Sequence, residues 1–450
     1  MDSITIGLLG LGCLVGLIAI RIPIAYAMII VGGVGITILN GPAIVLNQLK
    51  NLAYGQFSSY DLSVVPLFVL MGAISSRTGL SRDLFRATNA WFGWMRGGVA
   101  ISAIFACAGF GSVCGSSIAT ASTMGRVALP ELKRYQYSGA LATGTIAAGG
   151  VLGILIPPSV VLIIYSIIVE ANVVTLFKAA LIPGLLAVLF FVISIITVVT
   201  IFPGSGQPGK RVSNEEFIKS TINVLPVSLV FVVVIGGIYF GFFNPTPAAA
   251  IAVVMVSLLG IIKRRLTLAN TKKALLETAS ISGMIYLILL GAELLKIFMA
   301  RGGVPQAMAG WIATSGMTPM ITLIVLLLAL IILGCLMDSL SMILLAIPFF
   351  WPVLIIINGG DYVTAADSPF GLNTEDLKIW FGILALIVVE LGLITPPVGM
   401  NVFIISAQAP DVPMQQTFIG VLPFFLAELV RVVVLIFFPV LVLWLPWILT

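Results

Sequence analysis

No histidine occurs among the 450 residues of this chain. That removes the side chain most used for haem, zinc and proton shuttling near neutral pH. Charge is scarce as well: 9% of residues are charged and 60% are hydrophobic. A water-soluble domain of this size would need far more charge on its surface. The cysteines, Cys13, Cys107, Cys114 and Cys335, fall within apolar stretches without paired metal-ligand spacing, and read as small packing residues. No segment interleaves basic and aromatic side chains as a nucleic-acid surface would. The net charge of +5 fits Lys and Arg in loops on the inner side of a membrane. Scarce buried acids and absent histidine argue against a membrane enzyme or a proton-pumping subunit.

What the chain has in abundance is apolar runs long enough to cross a bilayer, which predicts an all-α polytopic membrane protein. Ile4 to Ile20 has neither a basic lead nor a small-residue cleavage site, and reads as a first span, not a signal peptide. Two of the runs contain a Pro-Pro pair. Gly153 to Ser159 reads Gly-Ile-Leu-Ile-Pro-Pro-Ser, and Gly392 to Val398 reads Gly-Leu-Ile-Thr-Pro-Pro-Val. Proline donates no N–H and clashes with the preceding turn, so each pair breaks its helix. A break at membrane depth is tolerated where freed backbone is buried in protein or lines a cavity. Matching breaks in two halves point to the binding site of a secondary transporter.

The repeat extends upstream. Gly72, Trp91 and Gly111 to Ser116 precede the first break as Gly291, Trp311 and Gly334 to Ser339 precede the second. Pro130 and Pro348 close the next apolar runs, and a polar insertion, Asn358 to Asp376, lengthens the second copy. The first copy has basic flanks (Arg77, Arg82, Arg86, Arg96, then Arg126, Lys133, Arg134); the second has mostly acidic ones (Asp361, Asp367, Glu375, Asp376). Positive flanks face inward, so the copies are expected to be inverted. Residues 97–130 would make one helix of about 50 Å, too long for a hydrocarbon layer of about 30 Å. With both ends basic, this segment is expected to enter and return as a hairpin.

The expected organisation has scaffold spans in 1–60 and a first repeat in 61–202, with an inner hairpin at 97–130 and a broken helix at 137–169. A linker and further scaffold spans fill 203–279. The second repeat, 280–450, carries an outer hairpin at 317–357, a broken helix at 378–409 and one final span. Residues 82–94 form an amphipathic segment expected to lie on the inner surface.

Polar residues gather at the hairpin tips and breaks. The first tip offers Ser112, Ser116, Ser117, Thr120 and Ser122, with Ser159 at the break beside it. The second offers Asp338, Ser339 and Ser341, with Thr395 and Asn401 at its break. Neutral oxygens with one carboxylate suit a monovalent cation such as Na⁺, and helix N-termini suit an anionic group. Those hydroxyls would alternatively satisfy helix carbonyls and allow close packing. Asp338, an acid inside an apolar hairpin, is the sharpest single candidate. Glu428 with Arg431, and Glu293 with Lys296, have the spacing of local ion pairs. Arg126 reads as an inner-surface anchor, and Glu390 is open to either a structural or a functional role.

Gly111 to Ala121 (Gly-Ser-Val-Cys-Gly-Ser-Ser-Ile-Ala-Thr-Ala), Gly153 to Ser159, Asp338 before Pro348, and Ile394 to Asn401 (Ile-Thr-Pro-Pro-Val-Gly-Met-Asn) together resemble the large membrane subunit, DctM type, of TRAP (tripartite ATP-independent periplasmic) transporters. The resemblance implies an ion-transporter-type elevator fold in the bacterial inner membrane and Na⁺-coupled import of small organic acids. It implies two partners: a small four-helix membrane subunit (Q type), here a separate chain, and a periplasmic substrate-binding protein (P type). It places one Na⁺ at Ser116, Ser117 and the break near Pro157, and another at Asp338, Thr395 and the break near Pro396. Ser112, Thr120, Ser159, Ser339 and Asn401 are then candidates for the substrate. A stand-alone dicarboxylate or arsenite carrier with the same hairpins is the alternative; dependence on a binding protein separates the two.

Overall fold

The computed structural model describes residues 2–449. The described residues form helices and no strand. In chain order they are α1 Ser3–Ala19, α2 Ile24–Asn40, α3 Pro42–Phe57, α4 Val64–Ser75, α5 Leu80–Phe92, α6 Gly98–Cys114 and α7 Ser117–Arg134. Next come α8 Gly139–Leu155, α9 Val160–Val169, α10 Val173–Ile201, α11 Asn214–Phe231, α12 Gly237–Tyr239, α13 Pro245–Ile262 and α14 Leu268–Gly302. The chain ends with α15 Val304–Thr314, α16 Pro319–Gly334, α17 Ser339–Asn358, α18 Thr374–Gly392, α19 Met400–Gln408, α20 Met414–Phe437 and α21 Val440–Leu449. A π turn at Val232–Gly236 joins α11 to α12, so that Asn214–Tyr239 makes one apolar helix of 26 residues.

Two helix groups emerge from the packing. In one, α14 lies along α2 and also meets α1, α3 and α4, while α13 packs on α4 and α11. In the other, α6 and α7 pack around α8, and α16 and α17 pack against α18. The halves then exchange ends: α9, the distal part of the first broken helix, packs on hairpin helix α17, and α19 packs on hairpin helix α7. α20 closes the group over α8 and α10. The first break bends α8 against α9 by 47°.

Glycine makes the central crossings possible. A Cβ on Gly111 of α6 would lie 2.5 Å from the Cα of Gly153 in α8. A Cβ on Gly392 of α18 would lie 2.6 Å from the Cα of Gly334 in α16. Each half thus brings its hairpin to its broken helix through a glycine pair, where only a bare backbone fits.

Two features differ from the sequence expectation, and a third shows more than it. The C-terminal segment is not one continuous span: α20 stops at Phe437, and α21 resumes at Val440 after Phe438 and Pro439, because proline cannot continue the hydrogen-bond ladder. The amphipathic segment forms helix α5. It bends 66° from α4, and α6 and α11 cover its apolar face. Thr88 and Ser102 fasten it to α6 by reciprocal hydroxyl–carbonyl bonds of 2.9 and 3.0 Å. Helix α3, whose sequence carries a weak amphipathic pattern, was not anticipated as a separate element.

Candidate transport site

The polar tips are helix starts. Ser116 caps α7, its Oγ accepting from Ala119 N–H at 3.3 Å. Asp338 caps α17, accepting from Ser341 N–H at 3.1 Å and from the Ser341 hydroxyl at 2.5 Å. Ser159 caps α9, accepting from Leu162 N–H at 3.4 Å. Helix α19 begins after Gly399, whose φ of +62° favours glycine. Ser and Asp act here as caps because their short side-chain acceptors satisfy first-turn N–H groups.

The first turns of all four helices line one cavity of about 1150 Å³, through Ser117 and Ala119, Val160 and Val161, Ser339 and Leu340, and Met400. Four positive helix ends therefore open onto the same space. The opposite wall comes from α4 and α14, with Ser76, Arg77, Glu277 and Met284. Arg77 is paired with Glu277 at 2.5 Å. Arg82, Arg126 and Lys273 also line the cavity and make no ion pair among the described residues. Of the two carboxylates lining the space, Glu277 is neutralised by Arg77, so with Asp338 the one other acid the space favours an anion.

Of the sequence candidates, Ser116, Ser117, Asp338 and Ser339 meet in this cavity, with Ser122 beside them. Ser112 donates to Gly109 O at 2.9 Å, and Ser159 is buried at its cap. Thr395 donates to Leu391 O at 2.6 Å, leaving its lone pairs free. Thr120 is buried with an unpartnered hydroxyl. Asn401 is buried between the halves, donating to Ser117 Oγ at 2.9 Å and to Ala147 O at 3.3 Å. Both Pro-Pro peptides are cis. Pro157 is buried and Pro396 exposed, so the pseudo-equivalent breaks sit in different surroundings. The oxygen set at each tip, with at most one carboxylate, fits a hard monovalent cation, and the orphaned Thr120 hydroxyl lies one turn from Ser117.

Sequence reasoning missed several wall residues. Arg126, read as an anchor, lines the cavity, as do Lys273 and Glu277 of α14. No local pattern marks the α14 residues, because they belong to a helix distant in sequence from either tip. Glu390 is fully enclosed and accepts the Ser339 hydroxyl; its place in an apolar run was the available signal. The expected ion pair of Glu428 with Arg431 forms inside the protein, and Arg431 also donates to Pro183 O at 2.7 Å.

The family model for the "Tripartite ATP-independent periplasmic transporter, DctM component" matches residues 11–441. The C4-dicarboxylate TRAP transporter large permease protein DctM of Pseudomonas aeruginosa is 33% identical over 404 residues, covering 89% of this chain and 90% of that protein. The sialic acid TRAP transporter large permease protein SiaM of Vibrio cholerae is 28% identical over 432 residues, 96% of each chain. The crystal structure of the Alcanivorax borkumensis YdaH transporter shares the fold with a TM-score of 0.59 over 90% of both chains, at 13% identity. With these matches and its series of apolar helices, the chain belongs to the DctM family, the large permease component of TRAP transporters, and is a multi-pass protein of the bacterial inner membrane.

Proposed function

We propose that this chain imports small organic acids by Na⁺-coupled alternating access, receiving them from a periplasmic substrate-binding protein and working beside a small membrane subunit. The observation that carries this reading is the convergence of four helix N-termini and two polar hairpin tips on one cavity. The acid's carboxylate would be drawn to the helix ends and to Arg126 or Lys273. One Na⁺ would be held by Ser116, Ser117 and the backbone at the Pro157 break. A second would be held by Asp338, Thr395 and the backbone at the Pro396 break. Neutralising the tips would let the hairpins close on the loaded cavity. The group containing α6–α10 and α16–α21 would then move as a unit against the group containing α1–α4 and α11–α14. The relatives carry names for C4-dicarboxylates and sialic acid, so the class proposed here is carboxylate and no single acid is chosen.

Reconstitution with candidate binding proteins and the small subunit tests the reading. Uptake of labelled acids should require both a Na⁺ gradient and the binding protein. Uptake without the soluble protein would favour a stand-alone carrier. Asp338→Asn should weaken Na⁺ activation, and full Na⁺ activation in that variant would remove Asp338 as a ligand.

A further inference from the structure

A second cavity, of about 950 Å³, lies between α5, α7, the linker after α10 and the start of α11. Six of its cations make no ion pair among the described residues: Arg82 and Arg86 of α5, Arg126 of α7, Lys210 and Arg211 of the linker, and Lys219 of α11. The acids beside them offset few of these charges. Asp83 is held at 2.6 Å by Lys263, which is not part of the lining, and Glu131 pairs with Arg134 at 3.5 Å. Glu215 and Glu216 stand in the first turn of α11, where acids favour the helix start. The groove is therefore net positive, and gathering like charges in one space costs repulsion that an anion among them relieves.

The walls are tied together. The Trp91 Nε1–H donates to Thr221 Oγ1 at 3.0 Å, joining α5 to α11. In the linker, Gly209 N–H donates to Gly93 O at 2.8 Å, and the Arg211 guanidinium lies 4.5 Å from the centre of the Trp94 ring. Cations from segments distant in sequence are thus held around one space. Lys and Arg crowd at the cytoplasmic ends of spans, where basic pockets between helices meet anionic lipid headgroups. A row of apolar side chains, Ile218, Ile222, Leu225 and Leu229, begins one residue from Lys219 and follows one face of α11, each more than half exposed. A soluble anion would use the charges alone; a phospholipid uses the charges and the row.

We propose that this groove binds the headgroup phosphate of an anionic phospholipid from the inner leaflet, with its acyl chains along the exposed face of α11. The site goes beyond the transport reading above, and its test needs no transport. One wall, α7, belongs to one helix group and another, α11, to the other, so a bound headgroup would bridge the two.

The test titrates the permease, purified with its small subunit in neutral detergent, with fluorescently labelled phosphatidylglycerol. Binding should saturate, and unlabelled phosphatidylglycerol should displace the probe while zwitterionic phosphatidylcholine does not. Equal displacement by phosphatidylcholine would overturn the proposal. Arg86→Gln combined with Lys219→Gln, neither of which lines the transport cavity, should weaken binding about tenfold or more. Lys50→Gln combined with Lys272→Gln removes the same charge outside the groove and should bind as wild type does. An equal loss in both pairs would reduce the effect to net charge and overturn the site. If the first pair does not accumulate in the membrane, Lys210→Gln combined with Arg211→Gln, in the linker, takes its place. Unchanged binding in whichever pair is measured overturns the proposal. Displacement of the probe by inorganic phosphate or succinate would give the groove to soluble anions, and failure of phosphatidylglycerol to bind the two-subunit complex would mean that protein covers the α11 face; either result overturns the lipid assignment.

Discussion

At the scale of single residues, the polar side chains of this protein divide into those that end helices and those that neutralise one another. Ser116, Asp338 and Ser159 are caps, and the same oxygens that hold first-turn N–H groups face the cavity or its walls. Arg431 and Glu428 are a fully enclosed pair. Removing one partner strands the other charge, so Arg431→Met should cost about 3–5 kcal/mol of stability. Adding Glu428→Gln should recover much of that loss; thermal unfolding in detergent compares the two. A second pair lies outside the apolar spans. Lys133 at the end of α7 reaches Asp411 at 2.6 Å, and this hydrogen bond holds the Asp411 carboxyl below the usual carboxylate range. A carboxyl lowered in the folded state adds stability above its unfolded value of about 4, and loses it as pH falls through the folded value. The wild type should therefore be slightly more stable than Asp411→Asn at neutral pH, with the difference closing in acid. A difference that widened on acidification would contradict this. The Glu428–Arg431 spacing could be read in the sequence, since one helical turn separates the two. The Lys133–Asp411 pair could not, because its partners meet only when α19 returns to α7.

At the scale of elements, glycine decides where helices touch. Gly111 meets Gly153 in one half and Gly334 meets Gly392 in the other. Gly392→Ala should lower stability by about 1–3 kcal/mol, because a methyl group there drives into the backbone of α16. Gly283→Ala, in α14 where nothing lies within 4 Å of an added Cβ, should change stability by no more than about 1 kcal/mol. Unfolding midpoints for the two variants, measured side by side, check this contrast. The Pro-Pro breaks were legible because proline acts locally, through its own ring and missing N–H. The break at Pro439 obeys the same rule, but the surrounding apolar run masked it. The packing of α5 on α6 was hidden because amphipathicity shows that a helix has an apolar face without naming what covers it.

At the scale of the whole molecule, two antisymmetric halves each lend a hairpin, and each broken helix packs its distal part on the hairpin of the other half. Cysteines placed at Lys133 and at Asp361 should be labelled from opposite faces of the cell by a membrane-impermeant thiol reagent. Labelling from one face would remove the inverted arrangement on which the transport proposal depends. The sequence by itself determined that the chain lives in a bilayer, that its two halves repeat, and that two of its helices must break at Pro-Pro pairs. Those properties follow from apolar run length, from flanking charge and from proline, all of which act over a few residues. Only the tertiary structure decided that four helix starts share one cavity, that α14 supplies its far wall, and that Glu390 is enclosed beside both tips. These depend on which elements distant in sequence come into contact, and burial of a charge or convergence of helix ends exists only once that packing is made.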